Sequence, residues 1–198
     1  MATATLAAAT VTLLPACAPL LIGGAMIGGV LMSTDRRSTG AQVEDEAIEF
    51  KAGRRIGDAA TLGHVNVASY NRTVLLTGEV PDAATKAAVD TAARQVDNVR
   101  MVVNEVAVTT NSSFGSRSND ALLSTRVKAS LVDAKDLHAN AVKVTTERGT
   151  VYLLGRVTER EAARAAEVAS TVPGVQKVVR VFEVLTEREL AQLPKPTQ

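Results

Sequence analysis

The chain has 198 residues, a net charge of +1 and a single cysteine, Cys17, so an intramolecular disulfide and a cysteine metal cluster are both excluded. With no Trp, two Tyr and three Phe, it lacks the aromatic platforms on which single-stranded nucleic acid stacks. Its core must be built from Val, Leu, Ile and Ala.

Residues 1–34 contain no charged side chain. One reading is a secretory signal whose apolar stretch, residues 6–14, ends at Leu14-Pro15-Ala16-Cys17, a lipoprotein-type cleavage site. Residues 1–16 would then be removed and Cys17 lipidated, with residues 17–42 serving as an apolar tether and polar spacer. The other reading is a membrane span of about 20 residues ending near Met32. Pro15, Pro19 and the pairs Gly23-Gly24 and Gly28-Gly29 interrupt such a helix and favour the first. A lone cysteine is often a buried apolar thiol. At the end of an apolar run it suits acylation, and several acyl chains together anchor stably. Ala18 follows it, where the residue retaining bacterial lipoproteins in the inner membrane would be Asp.

Beyond the spacer, Val43, Ala47, Ile48, Ala52 and Ile56 fall on one helical stripe, with Glu44, Asp45 and Glu46 near its positive end. Arg36-Arg37 and Arg54-Arg55 read as solvated charge. A strand pair follows: Val65-Asn66-Val67, a turn at Asn71-Arg72, then Thr73-Val74-Leu75-Leu76-Thr77-Gly78-Glu79-Val80. In the second strand Val74, Leu76, Gly78 and Val80 share one face; Leu75, Thr77 and Glu79 share the other. Asp82 can cap a helix with the stripe Ala88, Val89, Ala92 and Val96, and residues 100–108 give a third strand. Residues 109–118, rich in Ser and Asn, read as a linker.

The order then repeats. Asp120 is placed as the cap of a helix whose inner face is Leu123, Val127, Leu131 and Ala134. Strands are expected at residues 141–146 and 150–157, where Thr150-Val151-Tyr152-Leu153-Leu154-Gly155-Arg156-Val157 restates the earlier phrase 77 positions later. Thr158-Glu159-Arg160-Glu161 is a capping box opening an Ala-rich helix that Pro173-Gly174 stops. Residues 175–185 form the last strand, and 186–193 add a short helix. A period this long means a duplicated small domain rather than a solenoid, with copies at 43–108 and 119–185 and a tail at 186–198. Gly78 and Gly155 serve a bend or a close helix approach. The first copy has 7 Lys/Arg against 10 Asp/Glu, the second 10 against 8, so the second is the better candidate for an anionic partner.

A helix-strand-strand-helix-strand unit with Val-x-Leu-x-Gly-x-Val in its second strand and Val-x-x-Val-Val before its third resembles the BON domain. Two copies behind a lipobox resemble the dual BON-domain outer-membrane lipoproteins, the division- and outer-membrane-stress-associated lipid-binding lipoprotein family. Residues 34–43, Val142-Lys143-Val144-Thr145-Thr146-Glu147 and Val157-Thr158-Glu159-Arg160-Glu161-Ala162 extend the likeness. It implies an α+β fold of two tandem BON domains, each with two helices on a three-stranded sheet. It further implies an anchor on the periplasmic face of the outer membrane, and binding of anionic phospholipids such as phosphatidylglycerol and cardiolipin. By position, the lipid-facing residues would be Leu122, Arg126, Val127, Lys128 and Val132, where Leu122 stands at a place that can hold Trp. The wheel puts Val127 on the core arc and Leu122 and Val132 off it, near Arg126 and Lys128.

His64 and His138 do not align between copies, and no phosphate loop, metal-ligand cluster or paired-carboxylate motif asks for an enzyme or a cofactor. Two classes of function therefore stand: a tethered lipid-binding module supporting envelope integrity, and a protein-protein adaptor for outer-membrane assembly or cell-wall-splitting machinery. The adaptor would bind through exposed sheet edges or the acidic first copy.

Overall fold

The computed structural model describes residues 35–193. Cys17, the signal and tether readings, and the end of the tail lie outside the described residues. Among those described, no helix is long and apolar enough to cross a membrane.

Two similar units follow one another. The first comprises α1 (Thr39–Ala59), β1 (His64–Tyr70), β2 (Thr73–Val80), α2 (Ala83–Arg94), β3 (Met101–Asn104) and β4 (Ala107–Val108). The second comprises α3 (Phe114–Asp133), a 3-10 turn (Ala139–Ala141), β5 (Val142–Glu147), β6 (Thr150–Val157), α4 (Glu159–Ser170) and β7 (Lys177–Val184), followed by α5 (Glu187–Ala191). In each sheet the central strand pairs antiparallel with the strand before it and parallel with the strand after the second helix. Asp82 caps α2, and the Thr158/Glu161 capping box opens α4, as expected. The expected third strand of the first unit is broken at Glu105-Val106, yet both pieces keep one register against β2.

Three expectations are corrected. Ser38 caps α1, so residues 39–42 belong to the helix rather than to a spacer, and Val43 is 61% exposed instead of lying in the core stripe. Ser113 caps α3, so the helix takes in residues 114–118, which read as linker. Asp120 therefore lies inside α3. It is buried, and its carboxylate accepts from the backbone N–H groups of Arg148 and Gly149 in the β5–β6 turn. Asp45 does the same for Asn71 and Arg72 in the β1–β2 turn. All four turn residues have positive φ. Three of them are not glycine, and a carboxylate gripping both amides offsets part of the cost of that conformation.

Each unit has its own core between helices and sheet: Ile48, Ile56, Val74, Leu76 and Val89 in the first, Leu123, Val127, Leu131, Val151 and Leu153 in the second. A third cluster joins them. Ala68, Tyr70 and Leu75 meet Tyr152 and Leu154, so the faces of the two sheets turned away from the helices pack on each other. This is why every residue of β2 is buried although its pattern alternates. Polar pairs rim the seam: Asn71 donates to Glu183, Asn66 to Glu147, and Arg148 lies 3.5 Å from the fully buried Glu79.

Gly78 and Gly155 answer to the backbone where the preceding strand begins, not to a packed α-helix. A Cβ on Gly78, which has φ +111, would stand 2.0 Å from the His64 carbonyl oxygen, and one on Gly155 2.3 Å from that of Ala141.

Candidate functional site

The outer face of α3 is built by the same periodicity that makes its core stripe. Leu123, Val127 and Leu131 turn inward. Leu122 (57% exposed) and Val132 (59%) turn outward, as expected, and Arg126 is exposed near Leu122. Val127 is 0% exposed and packs in the core, which corrects its placement among the lipid-facing residues. Lys128 is also corrected: its Nζ donates to the carbonyls of Ala139 and Val142, and burial holds its pKa below the usual lysine value.

Sequence reasoning missed one residue. Phe114, at the first turn of α3, is 85% exposed. It precedes Val132 by 18 positions, about five turns at 3.6 residues each, so the two point the same way. Reading 109–118 as linker hid it; the Ser112-Ser113 pair ahead of it was the available capping signal. The aromatic absent at Leu122 is thus present two turns earlier on the exposed side of the same helix.

Beside this face runs a groove of about 670 Å³ between α3 and β5, lined by Thr125, Ala129 and Val132 on one side and Val142 and Val144 on the other. The two units are latched by residues that the sequence places in the polar spacer. Arg36 donates to both carboxylate oxygens of Glu161 at 2.7 Å and to the Arg156 carbonyl at 2.9 Å. Burial alone would raise the Glu161 pKa, but hydrogen bonds from Arg36 and from the Thr158 amide bring it down to about 2. Arg37 pairs with Asp35 and with buried Asp45 and lies 4.2 Å over the Tyr70 ring. These two arginines are half-buried structural charges, against the expectation of a solvated pair. Among the described residues no cluster of His, Cys, Asp and Glu could hold a metal ion.

Residues 44–110 and 119–186 each match the BON domain family. The chain is 40% identical to outer membrane lipoprotein DolP of Haemophilus influenzae over 87% of its own length and 90% of that protein. It is 35% identical to a 21 kDa hemolysin of Actinobacillus pleuropneumoniae over 75% of its length and 78% of that protein. A solved structure of CdsD, a type III secretion protein of Chlamydia trachomatis, overlaps 73% of this chain and 95% of its own with 12% identity and a TM-score of 0.31, too little to bear on the fold. With two BON domains, and identity to DolP over most of both chains, the protein belongs to the dual BON-domain outer-membrane lipoproteins.

Proposed function

We propose that this lipoprotein binds anionic phospholipids through the outer face of α3 and so supports the integrity of the envelope, working as a binding module without catalysis. The observation that carries the reading is the three exposed apolar residues on the outer side of α3, Phe114, Leu122 and Val132, with Arg126 one turn from Leu122. Apolar side chains next to a cation suit a shallow contact at the headgroup boundary. Each cation near an anionic surface adds about 1 kcal/mol, and an acyl anchor raises the effective concentration of a weak second contact. Arg126 remains a lipid-facing cation, whereas Lys128 supports the fold from behind it.

The test is co-sedimentation of the fragment from Ser33 onward with phosphatidylglycerol and with phosphatidylcholine vesicles. The reading predicts pelleting with phosphatidylglycerol, and at least a fivefold loss in Leu122→Ser/Arg126→Glu. Equal, negligible pelleting with both lipids would leave the adaptor role instead. For the anchor, proposed at Cys17, Cys17→Ala should move the protein from the membrane to the soluble periplasmic fraction. Retention in the membrane would assign the apolar N-terminal stretch as a span.

A further inference from the structure

Phe114 and Leu62 are the two most exposed large apolar side chains among the described residues, at 85% and 77%. A lone exposed leucine needs no explanation. These two come from different units, yet the fold joins their segments: Asn111 Nδ2 donates to the Leu62 carbonyl at 3.1 Å, and Phe114 follows Asn111 by three residues. Leu62, in the turn between α1 and β1, and Pro81, in the turn between β2 and α2, line one open cavity of about 500 Å³ with Thr109, Thr110 and Asn111. The turn that carries Leu62 is fixed against the sheet, since a Cβ on the next residue, Gly63, would stand 2.9 Å from the Glu79 carbonyl oxygen.

The backbone around this tip already has its partners. The Gly63 N–H donates to Ala60, the Thr109 N–H donates to Val80, Asn111 takes the Leu62 carbonyl, and Pro81 has no N–H. A protein partner, which binds through hydrogen bonds as well as apolar area, finds few groups to pair with. The boundary of a bilayer suits such a surface, because no polar group is stripped of water without a partner. The charged neighbours set the lipid preference. Arg117, the first cation of α3, donates to the hydroxyl and carbonyl of Ser112, while the exposed Asp82 carboxylate follows Pro81 and disfavours an anionic headgroup.

We propose that Leu62, Pro81 and Phe114 form a second membrane contact, which enters the headgroup layer of zwitterionic phospholipid by apolar burial without charge attraction. Membership of the outer-membrane lipoproteins puts a bilayer beside the protein, and an anchor makes a weak contact effective. The inference goes beyond the lipid reading of α3: it brings in the first unit, shares only Phe114 with that reading and needs no anionic lipid.

The chain has no Trp, so one introduced indole is a unique reporter. Leu62→Trp, Leu122→Trp and, at an exposed position of α1, Phe50→Trp are made in the full chain and placed in phosphatidylcholine or phosphatidylglycerol nanodiscs carrying doxyl-labelled lipid, which quenches an indole that enters the bilayer. In phosphatidylcholine, Leu62→Trp should be quenched at least twofold and Phe50→Trp should not. Salt at about 0.5 M, which screens exposed charges, should leave that quenching unchanged. Equal quenching of Leu62→Trp and Phe50→Trp, or none at either, overturns the proposal; if Leu122→Trp is quenched in phosphatidylglycerol at the same time, the α3 reading survives that failure. Quenching of Leu62→Trp that requires phosphatidylglycerol or vanishes with salt also overturns it, because charge is then the cause. Quenching of Leu62→Trp with none of Leu122→Trp in either lipid supports the tip and removes the α3 reading.

Discussion

Single residues decide how firmly the two units are joined. Glu161 is buried and Arg36 half-buried, and removing the partner of a buried charge costs on the order of 3 kcal/mol because that charge is left unpaired. Glu161 has a folded pKa of about 2 against an ordinary value of 4.5. A lowered carboxylate pKa contributes stability above the ordinary value, and that contribution is lost as the pH falls from there through the folded value. Arg36→Ala should therefore be less stable than the parent by about 2–3 kcal/mol at pH 7, with the gap narrowing between pH 4.5 and 2. Urea unfolding at several pH values measures this; an identical gap at pH 7 and pH 2.5 would contradict it. None of this was legible in the sequence, where Arg36-Arg37 looks like any solvated pair. The partner of Arg36 lies 125 positions away, and local periodicity carries no information at that distance.

At the scale of elements, the sequence showed most of what was local. Capping residues located α2 and α4 because Asp82 and Thr158 act within three residues of themselves. The long helices α1 and α3 were misjudged at their starts, where Ser38 and Ser113 cap segments that are polar or Ser-rich. Those first turns make few core contacts, so hydrophobic spacing does not mark them. The same error placed Asp120 as a cap and hid Phe114. Once α3 is known to begin at Phe114, its outward side carries exposed apolar residues along its length, an aromatic at one end, Leu122 near the middle and Val132 at the other end.

For the whole molecule, the repeat was legible as two domains, but their packing was not. An alternating strand reads as one buried face and one wet face; β2 is buried on both because the second sheet covers it. The comparison of copies gained meaning only then. Glu79 meets the turn of the other hairpin at Arg148, and Glu183 meets the first turn at Asn71, so charges that look like surface variation hold the seam. Sheet-on-sheet packing leaves the helices on the outside, which keeps the outer face of α3 free for the lipid contact proposed above. The most direct measurement of that claim is paramagnetic line broadening of the full chain's amides in nanodiscs carrying spin-labelled lipid. With phosphatidylglycerol present, the account predicts the strongest broadening at Phe114, Leu122, Arg126 and Val132, and weaker broadening in phosphatidylcholine alone. Broadening centred on α1 of the first unit, or equal in both lipids and absent from α3, would contradict it.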